Sequence, residues 1–184
     1  VLGHTADDQA ETILMNIVRG SGLAGLQGMR PSSKRAIGGT ELLVLRPLLA
    51  IGKRDTLGFC RALGLEPRLD ETNLSTDATR NLLRLEVIPL LKRLNPAVRE
   101  ALLRLSKSAT EGVAHLDREA DEAWETLARH EQGMVTLPKA ALAAMDPAVR
   151  AHLLRRAVRE AKGDLDGLDL GHIEQMARLS TGPA

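Results

Sequence analysis

The sequence predicts an α/β region over residues 1–94, followed by an almost entirely helical region over residues 95–184. Two observations support this division. In the first region, helical spacing of apolar residues alternates with a run of β-prone residues from Thr40 to Leu45, which predicts a strand. The second region opens at Asn95-Pro96, a strong helix start, and apolar residues then keep helical spacing to about His130.

Spacing and helix-breaking residues predict the elements of the first region. Thr5 can cap a helix, with Asp8 three residues further on, and a glycine-rich break at residues 20–22 ends that helix. A hairpin is predicted around Gly38-Gly39, with the strand that ends at Leu45 as its second arm. Two further helices are predicted, one over about 53–63 that ends at Gly64, and one from near residue 77 that Pro89 kinks or restarts.

Aspartates predict the later helices of the second region. Asp146-Pro147 opens a helix that reaches about residue 161, and Asp169 caps the last helix. Before them, a break at Gln132-Gly133 ends the long helix, and residues 134–137 are predicted as a short strand.

Composition excludes several classes of protein. With 43% hydrophobic and 27% charged residues, the 184-residue chain has the composition of a globular protein. No run approaches the roughly 20 apolar residues of a membrane span, so no membrane partner is expected. The one cysteine, Cys60, excludes an intrachain disulfide and a cysteine-rich metal site, fits a cytoplasmic location and is expected to be a buried thiol. Phe59 and Trp124, the only aromatic residues, are too few to stack many bases.

The net charge of +1 hides three strongly charged segments. Residues 80–107 carry seven basic and two acidic side chains, residues 111–131 carry two and seven, and residues 150–162 carry five and one. Basic helical segments can contact the phosphates of a nucleic acid. Solvated helix faces that pair with each other explain the same pattern equally well.

Two carboxylates near the start of the first helix are the main candidates for chemistry. Asp8 and Glu11 are three residues apart, so they share one face of the helix, opposite its apolar stripe. Such a pair could hold an ammonium group or a Mg²⁺ ion. Acidic residues in a first turn also complement the helix dipole, and this structural explanation is favoured for the pair taken alone. His4, just before them, could be a base, a ligand or a structural residue.

Basic residues form the second set of candidates. Arg80 and Arg84 are four residues apart and present two guanidinium groups on one helix face, which could bind phosphates or remain an exposed basic face. Arg46-Pro47 ends the strongest predicted strand. The carboxyl ends of strands line the ligand crevice in open α/β sheets, although a proline also ends strands for structural reasons alone.

Five segments occur in an order that is more specific than any one of them. They are Gly3-His4-Thr5-Ala6-Asp7-Asp8-Gln9-Ala10-Glu11-Thr12, Arg19-Gly20-Ser21-Gly22, Arg46-Pro47-Leu48, Asp70-Glu71-Thr72-Asn73 and Thr79-Arg80-Asn81-Leu82-Leu83-Arg84. With them, residues 1 to about 105 closely resemble the tRNA(Ile)-lysidine synthetase family of the PP-loop (N-type ATP pyrophosphatase) superfamily. The remaining residues more loosely resemble the helical region that follows the catalytic domain in that family.

The resemblance implies an activity and a fold. The family uses ATP and Mg²⁺ to adenylate the C2 oxygen of the wobble cytidine in CAU-anticodon tRNA(Ile), and the ε-amine of free L-lysine then displaces AMP. Residues 1–94 would be the C-terminal part of a parallel-sheet catalytic domain of the adenine nucleotide alpha hydrolase-like type. Residues 95–184 would be a truncated, all-helical tRNA-recognition domain. The resemblance also allows a homodimer.

The resemblance also implies roles for individual residues. Asp8 and Glu11 match the family's acidic pair and would orient lysine and the target base. His4 supports the same loop and is counted with them as catalytic. Arg80 matches the arginine that faces the ATP phosphates, and Asp7 and Arg84 are assigned to the same cofactor-binding side. No dedicated metal ligand is assigned.

Two departures limit the resemblance. Thr5 stands where many relatives have a second histidine. The family's phosphate loop, Ser-Gly-Gly-x-Asp-Ser after the first strand, is absent, and Gly20-Ser21-Gly22 cannot replace it because that segment follows a helix. Since residues 1–4 are typical of the end of a buried strand, we expect a fragment cut at both ends, with the first strands and the phosphate loop upstream of Val1.

Two other functions stay open. A tRNA thiolase of the same superfamily would need cysteine pairs, and the single Cys60 argues against it. A helical RNA-binding module without activity of its own is the other alternative, because half of the expected ATP site is missing from this chain.

Overall fold

A computed structural model describes residues 1–67, 78–131, 134–165, 167–168 and 170–181. The chain divides into two compact units, Val1–Thr110 (unit 1) and Glu111–Ala184 (unit 2). The boundary that the sequence predicts between a catalytic and a helical region, at residues 94 and 95, stays a prediction. Over the described ranges, no helix combines the length and the apolar character needed to cross a membrane.

Unit 1 is built from helices and one β-hairpin. In chain order its elements are α1 (Ala6–Val18), α2 (Leu23–Leu26), β1 (Ser32–Ile37), β2 (Thr40–Leu45), α3 (Lys53–Ala62), α4 (Ala78–Leu82), a π-helical turn (Leu83–Val87), α5 (Ile88–Leu94) and the first part of α6 (Val98–Leu127).

The first helix, α1, forms where the sequence predicted it. The backbone N–H and the Oγ1 hydroxyl of Thr5 both donate to Oδ2 of Asp8, at 2.8 and 2.9 Å, so a capping box starts the helix. On the opposite side, Ala10 and Ile13 are buried against Leu102 of α6. The helix is therefore fixed to unit 1 by its apolar stripe, and its polar face is left for other contacts.

The predicted hairpin is confirmed, but the predicted parallel sheet is not. β1 and β2 pair antiparallel around Gly38-Gly39, whose φ angles of +58° and +79° suit a two-residue hairpin turn. Both strand pairs within the described residues are antiparallel. Leu2, in the segment predicted as a strand end, donates its N–H to the carbonyl of Leu45 at 2.8 Å. One such bond is not a ladder, which needs a second extended strand in register.

The helix restarts at Ile88-Pro89, which is one of the two outcomes predicted there, and a π-helical turn precedes the restart. The N–H of Ile88 donates to the carbonyl of Leu83, five residues back. Proline has no N–H, and its ring crowds the carbonyl four residues before it, so a wider turn ahead of Pro89 relieves the clash. The start predicted near residue 77 lies outside the described residues.

Helix α3 ends as predicted at Gly64, where φ is +67°. Cys60 on this helix is half-buried, so the expectation of a buried thiol is wrong. The reason is that the apolar side of α3 is itself exposed, with Phe59 at 66% and Leu63 at 58%.

Among its described residues, unit 2 is helical apart from one short strand pair. It contains the second part of α6, β3 (Arg129–Glu131), β4 (Met134–Thr136), α7 (Lys139–Ala144), α8 (Pro147–Lys162) and α9 (Leu170–Thr181). Its core is formed by Ala120, Trp124, Leu142 and Leu153. The cap predicted for α8 is confirmed, because Oδ1 of Asp146 accepts the N–H groups of residues 148 and 149.

The long helix of unit 2 ends a little earlier than the sequence predicted. It stops at Leu127, because Arg129–Glu131 pairs with the strand predicted at residues 134–137 and confirmed as Met134–Thr136. The predicted break at Gln132-Gly133 and the predicted cap at Asp169 lie outside the described residues.

Opposite charges in unit 2 pair with each other. Arg156 of α8 binds Asp121 and, at 3.3 Å, Glu125 of α6, and its guanidinium lies 4.9 Å from the ring centroid of Trp124. His152 Nδ1 lies 2.7 Å from Oδ1 of Asp117. For Arg156, the structure favours paired helix faces over a free basic surface.

A buried amide clamps the chain after α2. Nε2 of Gln9 donates to the carbonyls of Gln27 and Met29, both at 3.1 Å, and its Oε1 accepts the N–H of Met29 at 2.8 Å. The hydroxyl of Ser106 donates to the Gln27 carbonyl at 2.7 Å. Between these residues, Gly28 has a φ of +64°, and a Cβ there would lie 2.8 Å from the Gln9 amide.

We expect Gly28→Ala to lower the free energy of unfolding by about 2 kcal/mol, because it combines a left-handed backbone with a clash. Gly58→Ala is the matched control, since Gly58 lies inside α3 with open space around it. That change should raise the free energy of unfolding by roughly 0.5–1 kcal/mol. Urea titrations measure both, and equal effects of the two changes would contradict the clamp.

Candidate functional site

Four charged side chains from distant parts of the chain meet in unit 1. Arg84 holds Glu11 in a bidentate pair, Nε to Oε1 at 2.6 Å and Nη2 to Oε2 at 2.9 Å. Nε of Arg80 donates to Oε2 of Glu11 at 2.9 Å. Oδ1 of Asp8 lies 3.5 Å from Nη2 of both arginines. We call these four residues the carboxylate–arginine cluster.

The two carboxylates of the cluster have different surroundings. The Glu11 side chain is 3% exposed and both of its oxygens accept guanidinium hydrogen bonds, which makes burial of its charge tolerable. The hydrogen bond that Arg84 donates to Glu11 is the main cause that raises the pKa of Arg84 above its ordinary value. Oδ1 of Asp8 has only the two long contacts, and its side chain is 22% exposed. Asp8 is therefore the carboxylate of the pair that is better able to accept a cationic ligand.

Asp7 faces a different part of unit 1. Its Oδ2 accepts the backbone N–H of Lys53 at 2.7 Å, and so it caps α3, whose own N-cap residue, Gly52, has no side chain. Nη1 of Arg99 lies 3.5 Å from the same oxygen. A Cβ at Gly52 would lie 2.7 Å from that Nη1, so a side chain there would displace the Arg99 guanidinium. The cofactor-binding role of Asp7 stays a prediction beside this positioning role.

His4 and Arg46 differ in their hydrogen bonds. Nδ1 of His4 is shielded from solvent and has no hydrogen-bond partner among the residues that the structure describes. Arg46 is 6% exposed, and its Nη1 donates to the Arg30 carbonyl at 2.9 Å and to Oγ of Ser33 at 3.0 Å. For Arg46, the structural explanation is therefore favoured over a place in a ligand crevice.

A cavity of about 620 Å³ opens beside the cluster, entirely within unit 1. Its wall is partly apolar, from leucine, isoleucine and valine side chains. Its charged lining residues are Asp7, Asp8 and Glu11 together with Lys53, Arg84, Lys92 and Arg99. Neither Arg80 nor His4 is among the lining residues. The cavity has room for a ligand that carries both positive and negative groups.

The carboxylates do not form a Mg²⁺ site by themselves. Both oxygens of Glu11 are engaged by guanidinium groups, which leaves Asp8 as the less tightly bound carboxylate of the pair. Over the described part of the chain, no group of three or more His, Cys, Asp or Glu side chains could hold a metal ion. Since Mg²⁺ is commonly bound by one or two carboxylates plus substrate phosphates, the ion would have to arrive with ATP.

Sequence reasoning singled out the acidic pair Asp8 and Glu11 and the basic pair Arg80 and Arg84. It did not predict that the two pairs bind each other, and it missed some of their neighbours. One of these is Arg99, although the excess of basic residues over 80–107 was a signal for it. Lys53 carried no such signal. The segment at residues 70–73 lies outside the described residues.

The fold and the site can be compared with known proteins. Residues 1–91 match the PP-loop domain family, and this part of the chain belongs to that family. Over its whole length, the chain is similar to proteins named tRNA(Ile)-lysidine synthase. It is 42% identical over 184 residues to the one from Dehalococcoides mccartyi, a match that covers 100% of this chain and 39% of that protein.

Further proteins with the same name are similar to the chain over nearly its whole length. The chain is 36% identical over 183 residues to the tRNA(Ile)-lysidine synthase of Solibacter usitatus, covering 99% of this chain and 40% of that protein. It is 39% identical over 181 residues to the tRNA(Ile)-lysidine synthase of Salinispora tropica, covering 98% of this chain and 52% of that protein. The chain thus spans between about two fifths and one half of the length of these relatives. The resemblance derived from the sequence is confirmed.

We expect the Arg84–Glu11 pair to show a coupling energy of about 1–3 kcal/mol in a double-mutant cycle of Arg84→Ala and Glu11→Gln. The reason is that Arg84→Ala leaves the buried Glu11 carboxylate with only the hydrogen bond from Arg80, and Glu11→Gln removes the charge that Arg84 binds. Urea unfolding of the four proteins measures the coupling.

The control cycle is Lys34→Ala with Glu41→Gln, an ion pair of 2.8 Å whose side chains are 71% and 64% exposed. An exposed pair should couple by less than about 1 kcal/mol. Equal couplings in the two cycles would show that the buried pair has no special weight in unit 1.

Proposed function

We propose that this chain is part of a tRNA(Ile)-lysidine synthase, an ATP-dependent ligase that joins free L-lysine to C2 of the wobble cytidine in CAU-anticodon tRNA(Ile). The observation that carries the proposal is the carboxylate–arginine cluster at the wall of the unit 1 cavity, in a segment that belongs to the PP-loop domain family. The similarity to lysidine synthases over the whole chain supports the choice of substrate.

The reaction has two steps that balance without a further reactant. The C2 oxygen of cytidine attacks the α-phosphorus of ATP and pyrophosphate leaves, which turns a poor leaving group into a good one. The ε-amine of lysine then attacks C2, and AMP leaves with the former C2 oxygen. The ε-ammonium must lose a proton before it attacks, so a carboxylate beside it assists the second step.

The two carboxylates divide this work. Asp8, whose Oδ1 has only two contacts of 3.5 Å, receives the ε-ammonium of lysine and accepts the proton. Glu11 is the anchor that fixes Arg84 and Arg80 beside it. In this proposal Arg80 faces the ATP phosphates, which means that it shares its guanidinium between Glu11 and the nucleotide. His4 and Asp7 support the loop and the start of α3, respectively.

The proposal extends to the fold and to the ligands of the longer protein. Residues 1–94 are the C-terminal part of the catalytic domain, whose parallel sheet and phosphate loop are supplied by other residues of a longer protein. Mg²⁺ accompanies ATP. Residues 95–184 contact tRNA through helices. A homodimer and a cytoplasmic location stay predictions.

In the longer protein that carries this chain, Asp8→Asn should raise the KM for lysine about tenfold or more. The physical reason is loss of a charge-assisted hydrogen bond, while the amide oxygen can still accept the N–H of Thr5. The adenylated tRNA should then accumulate. Single-turnover assays at varied lysine concentration measure both effects.

The control is Glu41→Gln, an equivalent loss of charge on the exposed hairpin, far from the cavity lining. It should leave the lysine dependence unchanged. If Asp8→Asn also leaves it unchanged, the carboxylates serve only the helix start, and the proposed role of Asp8 is wrong.

The 184-residue chain alone should release no AMP or pyrophosphate from ATP in the presence of tRNA and lysine. The reason is that the backbone N–H groups of a strand–loop–helix phosphate site are absent from its sequence. Thin-layer chromatography of labelled ATP measures this. Turnover by this chain would contradict the proposal that residues 1–94 are only part of the catalytic domain. Binding of tRNA without turnover would support that proposal.

A further inference from the structure

The charged groups that line the unit 1 cavity are not all neutralised by each other. Arg84 is bound to Glu11, and Arg99 is bound to Glu100 through Nη2 at 2.6 Å and Nε at 3.0 Å. Two lining cations remain, Lys53 at the start of α3 and Lys92 near the end of α5. Within the described ranges, neither ammonium group has a hydrogen bond or an ion pair.

The acids near these lysines are already engaged. Asp7 accepts the backbone N–H of Lys53 and lies 3.5 Å from Arg99. The pKa of Glu100 is lowered by its own backbone N–H, by Arg99 and, more weakly, by Lys92. Of the two carboxylates in the carboxylate–arginine cluster, Asp8 on α1 is the one able to accept a cation, because its Oδ1 has only two contacts of 3.5 Å. The cavity thus offers an acceptor for a cation from one helix and two ammonium groups from other helices.

We propose that Lys53 and Lys92 form the subsite for the α-carboxylate of the lysine substrate, with the ε-ammonium of the same molecule at Asp8. This assignment rests on the proposed function, and it deepens it by naming how the amino acid is oriented. A zwitterion with charged ends separated by methylene groups is complementary to a cavity with opposite charges at separate places. The apolar side chains of Leu48 and Leu57, which also line the cavity, suit those methylene groups.

Two lysine ammonium groups would bind any anionic oxygen group. The candidates are the α-carboxylate of lysine and a phosphodiester of tRNA. Two features favour the α-carboxylate. A phosphodiester brings polar ribose groups on both sides, which the apolar wall would leave without hydrogen bonds. An α-carboxylate is carried by the same molecule whose ammonium binds Asp8, so the second contact costs little additional ordering.

The test compares L-lysine with cadaverine, which is lysine without its α-carboxylate, in the longer protein that carries this chain. Calorimetric titration gives the affinity of each ligand, and formation of modified tRNA gives KM. Lys92→Met and Lys53→Met should each lower the affinity for lysine about three- to tenfold, and each should change the affinity for cadaverine by less than about twofold. Lys92→Arg should restore most of the lysine affinity, because it keeps the charge.

Lys34→Met is the matched control, since Lys34 lies on the hairpin and outside the cavity lining. It should change the affinity for neither ligand. Thermal unfolding of each variant shows that the fold is retained. If the lysine and cadaverine affinities fall together, or if neither falls, the subsite is wrong. If only the KM for tRNA rises and becomes less dependent on salt, the subsite binds a phosphodiester and the proposal is overturned.

Failure of the proposed function is separable from failure of the subsite. A wild-type protein that forms no lysidine but binds lysine in a Lys92-dependent way contradicts the proposed function and supports the subsite. A wild-type protein that forms lysidine with an unchanged lysine KM in Lys92→Met and Lys53→Met supports the function and contradicts the subsite. Wild-type protein that binds no lysine contradicts the subsite as well.

Discussion

Burial of the Glu11 carboxylate between two guanidinium groups is the constraint on which the rest of the site depends. A carboxylate that is 3% exposed is stable only when its oxygens are bound, and Arg80 and Arg84 supply three hydrogen bonds to it. These bonds fix the segment that begins with α4 against α1. The pairing in turn leaves Asp8 as the less tightly bound carboxylate, and it defines one side of the cavity.

Helix α1 distributes consecutive residues over different tasks because each residue turns the side chain by about 100° around the helix axis. Asp7 caps α3, Asp8 closes the capping box and faces the cavity, Gln9 clamps the chain after α2, and Glu11 binds the arginines. The apolar stripe with Ile13 holds the helix in place. A substitution at one of these positions therefore acts on a different neighbour from a substitution at the next.

Local signals were sufficient for the elements whose ends are set by neighbouring residues. The start of α1 at Thr5, the hairpin turn at Gly38-Gly39, the end of α3 at Gly64 and the cap of α8 at Asp146 all formed where the sequence predicted them. The prediction of a parallel sheet was not confirmed in the described residues, because a strand shows its own β-propensity but not the partner with which it pairs. The prediction that Cys60 is buried was wrong for a similar reason, since an apolar helix face does not reveal whether another element covers it.

The sequence by itself determined the family, the acidic and basic residues that we propose carry the chemistry, and the spacing that puts Asp8 with Glu11 and Arg80 with Arg84 on shared helix faces. Only the tertiary structure decided that the two faces bind each other, that Asp7 caps α3, and that Lys53 and Lys92 line the same cavity. The physical reason is that helical periodicity fixes neighbours within a few residues. Contacts between residues about 70 positions apart, such as Glu11 and Arg84, depend on how whole helices pack.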